Sequence, residues 1–172
     1  ILLIAGKQLN YSVATLAIGL RNTINSNFID SPKIEKIYES SNTPTFNLSV
    51  LKDDNINRND IDDKIKTKYF DFIIFGSVGP DESFSMNNMV NDDKFKHYNS
   101  NEKIFIFGGD RSFNMITNNN SRTILENISK KGICFVRELD YSTDYFNDKV
   151  WNEYAKDCKY TWDKNILKAN NI

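Results

Sequence analysis

The densest group of residues able to do chemistry is Gly108, Gly109, Asp110, Arg111 and Ser112, directly after the apolar run 104–107. Two glycines in a row let backbone approach a ligand closely, and Asp110 with Arg111 sets a hydrogen-bond acceptor beside a two-pronged donor. A turn closed by a local ion pair is the competing reading. Gly76 and Ser77 stand in the same relation to the run 72–75, and Gly6 with Lys7 to the run 1–5. Gly6 lacks the further glycines of G-x-G-x-x-G, and G-x-x-x-x-G-K-[ST] is absent. The loop therefore offers no cradle for a dinucleotide or a nucleoside triphosphate, and no cofactor is expected. It does offer a helix start near Ser12 and a cation at Lys7, a modest place for an anion or a hydroxyl-rich ligand. A permissive turn and a solvated lysine explain the same residues. Arg137 and Glu138 follow the run 133–136; adjacent strand residues point to opposite faces, so one of the two can face a crevice.

Other reactive side chains are sparse. His97 is the single histidine and lies in the polar connection 94–98, where a solvated role outweighs that of a catalytic base. Cys134 sits in an apolar run and Cys158 in a polar one, with no spaced companions. Two free thiols, no disulfide, no structural metal and a reducing, cytoplasmic setting are expected. No H-E-x-x-H, no C-x-x-C and no G-x-S-x-G occurs, which removes the main support for metalloprotease, zinc-ribbon and α/β-hydrolase chemistry.

The elements that must position these residues show in the apolar pattern. Runs 1–5, 72–75, 104–107 and 133–136 are continuous rather than alternating, as internal strands covered on both faces should be. Residues 33–38 mix polar and apolar side chains behind Pro32 and read as a fifth strand nearer an edge. Val13, Leu16, Ala17, Leu20 and Ile24 recur at helical spacing from Ser12 as N-cap. Ile61, Ile65 and Tyr69 repeat the pattern after Asn59 or Asp60, and Ile124, Leu125 and Ile128 do so after Ser121. Gly132 then follows Lys130 and Lys131, as at a helix C-terminus. Residues 46–50 suggest a further short strand, and 86–90 a helix before a polar loop. Tyr141, Tyr145, Phe146, Trp151, Tyr154, Tyr160 and Trp162 suggest helices folded back on the sheet, with partner binding as the rival use.

Strands alternating with helices predict one Rossmann-like, three-layer α/β domain over residues 1–172, with a mostly parallel five-stranded sheet and right-handed crossovers. Ligands of such sheets bind beyond the C-terminal strand ends where strand order reverses. In the usual 3-2-1-4-5 order the first and fourth strands adjoin, so Gly6 and Lys7 would flank one crevice with Gly108, Gly109, Asp110 and Arg111.

Bulk properties narrow the partners. A chain of 172 residues is one ordinary domain, able to bury roughly 70% of its unfolded surface. The 22 basic and 23 acidic residues leave a net charge of −1, so no field gathers a nucleic acid or an anionic membrane. No apolar stretch reaches the roughly 20 residues of a membrane span, and the apolar start is too short for a signal peptide. There is no initiator Met, as expected of a segment cut from a longer protein. The abundant Asn, dispersed among patterned apolar segments, reflects codon bias sooner than a prion-like tract.

Three stretches carry a family resemblance. Tyr69, Phe70, Asp71 and the run 72–75 end in Gly76 and Ser77. Lys103 and the run 104–107 end in Gly108, Gly109 and Asp110. Lys131, Gly132 and the run 133–136 end in Arg137, Glu138 and Leu139. Together, over about residues 64–139, they resemble the first Rossmann-like domain of GT-B-type glycosyltransferases, more narrowly the spore-maturation-like branch. The resemblance implies sugar transfer, with a sugar or glycan acceptor held by this domain and a nucleotide-sugar donor held mainly by a second one. Only 33 residues follow Leu139, so the chain is expected to be the N-terminal half of a larger protein, inactive alone, or a scaffold put to another use. The resemblance further implies that Asp110, Arg111, Arg137 and Glu138 line the cleft and that Asp110 is the general base for an acceptor hydroxyl. The alternatives are a ligand- or partner-binding module without turnover on a flavodoxin-like scaffold, and a small enzyme acting on a nucleotide or nucleoside.

Overall fold

The computed structural model of the chain describes residues 1–6, 11–41, 48, 50–78, 88–107 and 119–136, without the side chains of 119–122 and 136. Five strands, β1 (Leu2–Ile4), β2 (Ile29–Ser31), β3 (Ile73–Val78), β4 (Lys103–Phe107) and β5 (Ile133–Val136), form one sheet in the order β2-β1-β3-β4-β5. Every pair is parallel. Helices α1 (Tyr11–Ile24), α2 (Ile61–Lys66) and α3 (Asn119–Ser129) alternate with the strands, which gives the expected α/β arrangement of a Rossmann-like domain.

Side chains leave the sheet alternately and build a core on each face. Leu2, Ile4, Ile73, Phe75, Phe105, Phe107 and Cys134 meet Ile61 and Ile65 of α2 and Leu125 and Ile128 of α3. Phe75 stacks on Phe105 at 4.9 Å between ring centroids and meets Phe95 edge-on at 5.0 Å. On the opposite face Leu3 and Ile74 meet Val13, Ala14, Ala17 and Ile18 of α1, with Ile34, Ile37, Tyr38 and Leu51 beside them.

Several expectations are corrected. The edge strand beside β1 is Ile29–Ser31 rather than 33–38: Pro32 follows it, and Glu35–Ile37 is a 3-10 turn. The partner of β1 on its other side is β3, not the run 104–107, so the longest strand, buried throughout, sits at the centre of the sheet. β5 has one neighbour among the described residues, so it is not internal there. In α1 the buried stripe is Val13, Ala14, Ala17 and Ile18, while Leu16, Leu20 and Ile24 are partly buried at its flank. The chain leaves α2 early. Lys68 adopts φ 55°, the Lys68 amide donates to Ile65 O at 3.0 Å, and the Tyr69 amide donates to Lys64 O at 2.9 Å. This left-handed helix stop swings Tyr69 outward to 65% exposure, and Phe70 fills the core instead.

Gly132 occupies the link from α3 to β5, where its amide donates to Ile128 O at 3.1 Å. A Cβ there would stand 2.3 Å from Lys103 O and 2.6 Å from the Phe105 ring, so the residue is fixed by the close approach of β4. Asn88 and Met89 are helical and Val90 is buried; the rest of the expected helix 86–90, most of 46–50, and the aromatic stretch after Leu139 lie outside the described residues.

Candidate functional site

The strand order reverses between β1 and β3. From β1 the chain crosses on the α1 face to β2 on one side, and it returns on the opposite face to β3 on the other. The C-terminal ends of β1 and β3 therefore border the place where a ligand crevice opens in a doubly wound sheet of this flavodoxin-like order. Ile4 is in register with Phe75, which sets Ala5 and Gly6 alongside Gly76 and Ser77. The Ala5 amide donates to Ser31 O at 3.1 Å, so the end of β2 adjoins as well.

Gly76 and Ser77 lie inside β3 rather than after it. Phe75 pairs with Phe105 and Val78 with Phe107, so Gly76 and Ser77 together oppose Ile106. This is a β-bulge, with one extra residue on β3. Strict alternation from Phe75 would have turned Val78 toward α1; the extra residue returns it to the face of Phe75 and Phe107, where it is fully buried. Ser77 takes φ 62° and is wholly buried. At Gly76 a Cβ would meet Val13 Cγ1 at 3.1 Å and Ile4 O at 3.2 Å, because the first turn of α1 lies directly on the strand. Bulges and left-handed non-glycine residues are costly and gather at functional edges of sheets.

Of the other candidate residues, Gly6 is half-buried at the end of β1. Lys7, Gly108, Gly109, Asp110, Arg111, Arg137 and Glu138 lie outside the described residues. In the observed order β3 lies between β1 and β4, so the two strands that the expected crevice of Gly6 and Lys7 with residues 108–111 would have joined are not neighbours. His97 is exposed. It precedes Tyr98, whose hydroxyl accepts from the Phe70 amide at 3.4 Å just ahead of β3, and so stands at the opposite, N-terminal edge. Cys134 is buried, and loss of hydration pushes its thiol up to about 12. Among the described residues no cluster of three His, Cys, Asp or Glu could hold a metal, and no helix is long and apolar enough to cross a membrane.

Sequence reasoning missed one polar constellation. Asp30 of β2 is wholly buried, and its carboxylate accepts from Arg58 Nη2 at 2.6 Å, from the Tyr38 hydroxyl at 2.9 Å and from the Ile34 amide at 2.7 Å. Arg58 also grips Asp54 with both Nη atoms, at 2.8 and 2.9 Å, and Arg21 Nη2 donates to Asp54 at 2.7 Å. Burial alone would raise the Asp54 carboxyl, but the hydrogen bonds from Arg58 and the Ile56 amide together with the Arg58 and Arg21 charges outweigh it and hold Asp54 below the ordinary range. Burial and the nearby Asp30 charge push the Tyr38 hydroxyl up. Two arginines balance two aspartates, and the carboxylates are fully engaged, so the network clamps residues 54–58 across the edge strand and leaves no spare acid or base for catalysis. A local pattern carries no signal for it, since Asp30 and Arg58 meet only in the folded chain.

No protein-family model, curated protein or solved structure matches the chain. The reading of the site therefore rests on its own geometry.

Proposed function

We propose that this domain binds a small hydroxyl-rich or anionic ligand beyond the C-terminal ends of β1 and β3. The observation that carries the reading is the bulge at Gly76 and Ser77. It puts a left-handed, buried serine at the central strand of the sheet, beside Gly6 and at the reversal of strand order. The test is amide NMR of the chain titrated with monosaccharides, nucleotides and inorganic phosphate. Shifts centred on Gly6, Gly76 and Ser77 support the proposal. Shifts centred on His97 and Lys103, at the opposite edge, or none with any of these ligands, overturn it.

One observation favours a finer reading, the acceptor side of a nucleotide-sugar-dependent glycosyltransferase. The three runs that carry the family resemblance are the neighbouring, parallel strands β3, β4 and β5, whose C-terminal ends lie at one sheet edge. On this reading Asp110 takes the proton of an acceptor hydroxyl as its oxygen bonds to the sugar and the nucleotide departs, with the donor held by a second domain. In a parent protein that carries such a domain, Asp110→Asn lowers turnover roughly 10²-fold or more with acceptor affinity little changed, and Arg111→Ala weakens binding. Equal turnover of wild type and Asp110→Asn removes Asp110 from the mechanism. Absence of turnover with any nucleotide-sugar leaves the binding module without catalysis.

A further inference from the structure

The lateral edge of the sheet at β2 is closed by a side chain instead of a strand. Ile29 and Ser31 turn their backbone groups to β1: the Ile29 amide donates to Ile1 O at 3.0 Å, and Ser31 O accepts from the Ala5 amide at 3.1 Å. Alternation then turns the backbone N–H and C=O of Asp30 outward, where they form a template for a further strand. Arg58 occupies it. Its Nε donates to Asp30 O at 2.7 Å and its Nη2 to the Asp30 carboxylate at 2.6 Å, so one guanidinium caps the outward carbonyl and the side chain together.

Residues 51–58 carry this guanidinium round the edge. Leu51 is buried in the core on the α1 face, whereas Ile56 packs against the core on the opposite face. Lys52, Asp53, Asn55 and Asn57 are exposed. Among the described residues no backbone hydrogen bond joins 52–58 to β2. The segment is tied at Leu51 instead, where the Leu51 amide donates to Ile37 O at 2.8 Å and the Glu39 amide donates to Leu51 O at 2.9 Å. Asp54, held by Arg58 and by Arg21 of α1, steadies the guanidinium from behind. Closure thus depends on charge-assisted side-chain bonds and two apolar anchors, and a segment so held opens locally at lower cost than the sheet it covers.

We infer that residues 51–58 are a releasable strap guarding the lateral edge of β2, with Arg58 as its latch, and that release lets a second copy of the chain pair there. The strap acts independently of the ligand at the C-terminal strand ends. An uncovered edge strand pairs with whatever strand meets it, and in a solution of this protein that strand belongs to another copy. The latch can be removed without stranding a buried charge. Replacing Asp54 and Arg58 together leaves Arg21 facing Asp30 at 3.8 Å, with the Tyr38 hydroxyl and the Ile34 amide still donating to the Asp30 carboxylate.

The test compares the full chain with its double variant Asp54→Asn, Arg58→Met. The variant keeps native far-UV circular dichroism, and its Leu51 and Glu39 amides exchange with solvent at least roughly tenfold faster than in wild type. Its sedimentation mass rises with concentration where that of wild type does not, and the Asp30 amide gains protection as it associates. Should the double variant fail to fold, Arg58→Lys decides by the same readings, because one ammonium cannot serve Asp30 O and both carboxylates at once. A folded variant that sediments as wild type does at every concentration overturns the inference. So does association that leaves the Asp30 amide unprotected, which places the contact elsewhere. In wild type itself, Leu51 and Glu39 amides that exchange no faster than those of Leu3 and Ile74 overturn it too, since the segment then opens only with the whole sheet.

Discussion

Ser77 is wholly buried at φ 62°, where the Cβ of an L residue crowds the following carbonyl at a cost of about 1–2 kcal/mol. Replacement by glycine and by alanine both delete the hydroxyl, and only glycine deletes the Cβ. Ser77→Gly should therefore be more stable than Ser77→Ala by about 1 kcal/mol in urea unfolding. The reverse ranking would mean that the residue is not left-handed in solution. The strain is confined to one extra residue in β3, and that residue also aims Val78 into the core. A position that is disfavoured locally but needed for the register is one that natural sequences retain for a purpose, and here it borders the proposed ligand edge.

Gly132 holds the start of β5 against β4. With Lys103 O only 2.3 Å from the place of a new Cβ, Gly132→Ala has to push β5 outward, and a loss of about 1–3 kcal/mol in a thermal or urea melt is expected. A melt unchanged from wild type would contradict the contact. The glycine was legible in the sequence as a helix stop, yet the constraint that fixes it is the neighbouring strand. The same division holds elsewhere. Runs 72–75, 104–107 and 133–136 could be read as parallel strands because both of their faces are apolar, and the spacing of Ile61 with Ile65 and of Leu125 with Ile128 gave the buried sides of α2 and α3. β2 escaped because Phe28 and Ile29 are followed by an aspartate, which looks like the end of an apolar run unless Arg58, 28 residues away, is known to neutralise it. Residues 33–38 offered the better local pattern and fold as a turn. At the site, Gly76 and Ser77 were visible as punctuation after a strand. Their bulge was not, since register depends on β4.

Charge is distributed so that the molecule should be more fragile in acid. The Asp54 carboxyl is held low because hydrogen bonds from Arg58 and the Ile56 amide and the Arg58 and Arg21 charges together outweigh its burial, and Asp53 and Glu102 are held low by hydrogen bonds from Lys33 and Lys68. Each binds a proton less readily in the folded chain than in the unfolded one. Their contribution is therefore complete above the ordinary carboxylate range of about 4 and is lost as pH falls through their lower folded values. The urea midpoint should drop on acidification below about pH 4; a level or rising midpoint would contradict the assignment. The strand order has a consequence for how the chain is made. β2 pairs with β1, β3 adds to the free side of β1, β4 adds to β3, and β5 adds to β4. A ribosome releasing this chain from its N-terminus never has to thread a late strand between two that are already joined, so the nascent sheet can lengthen one edge at a time while synthesis continues.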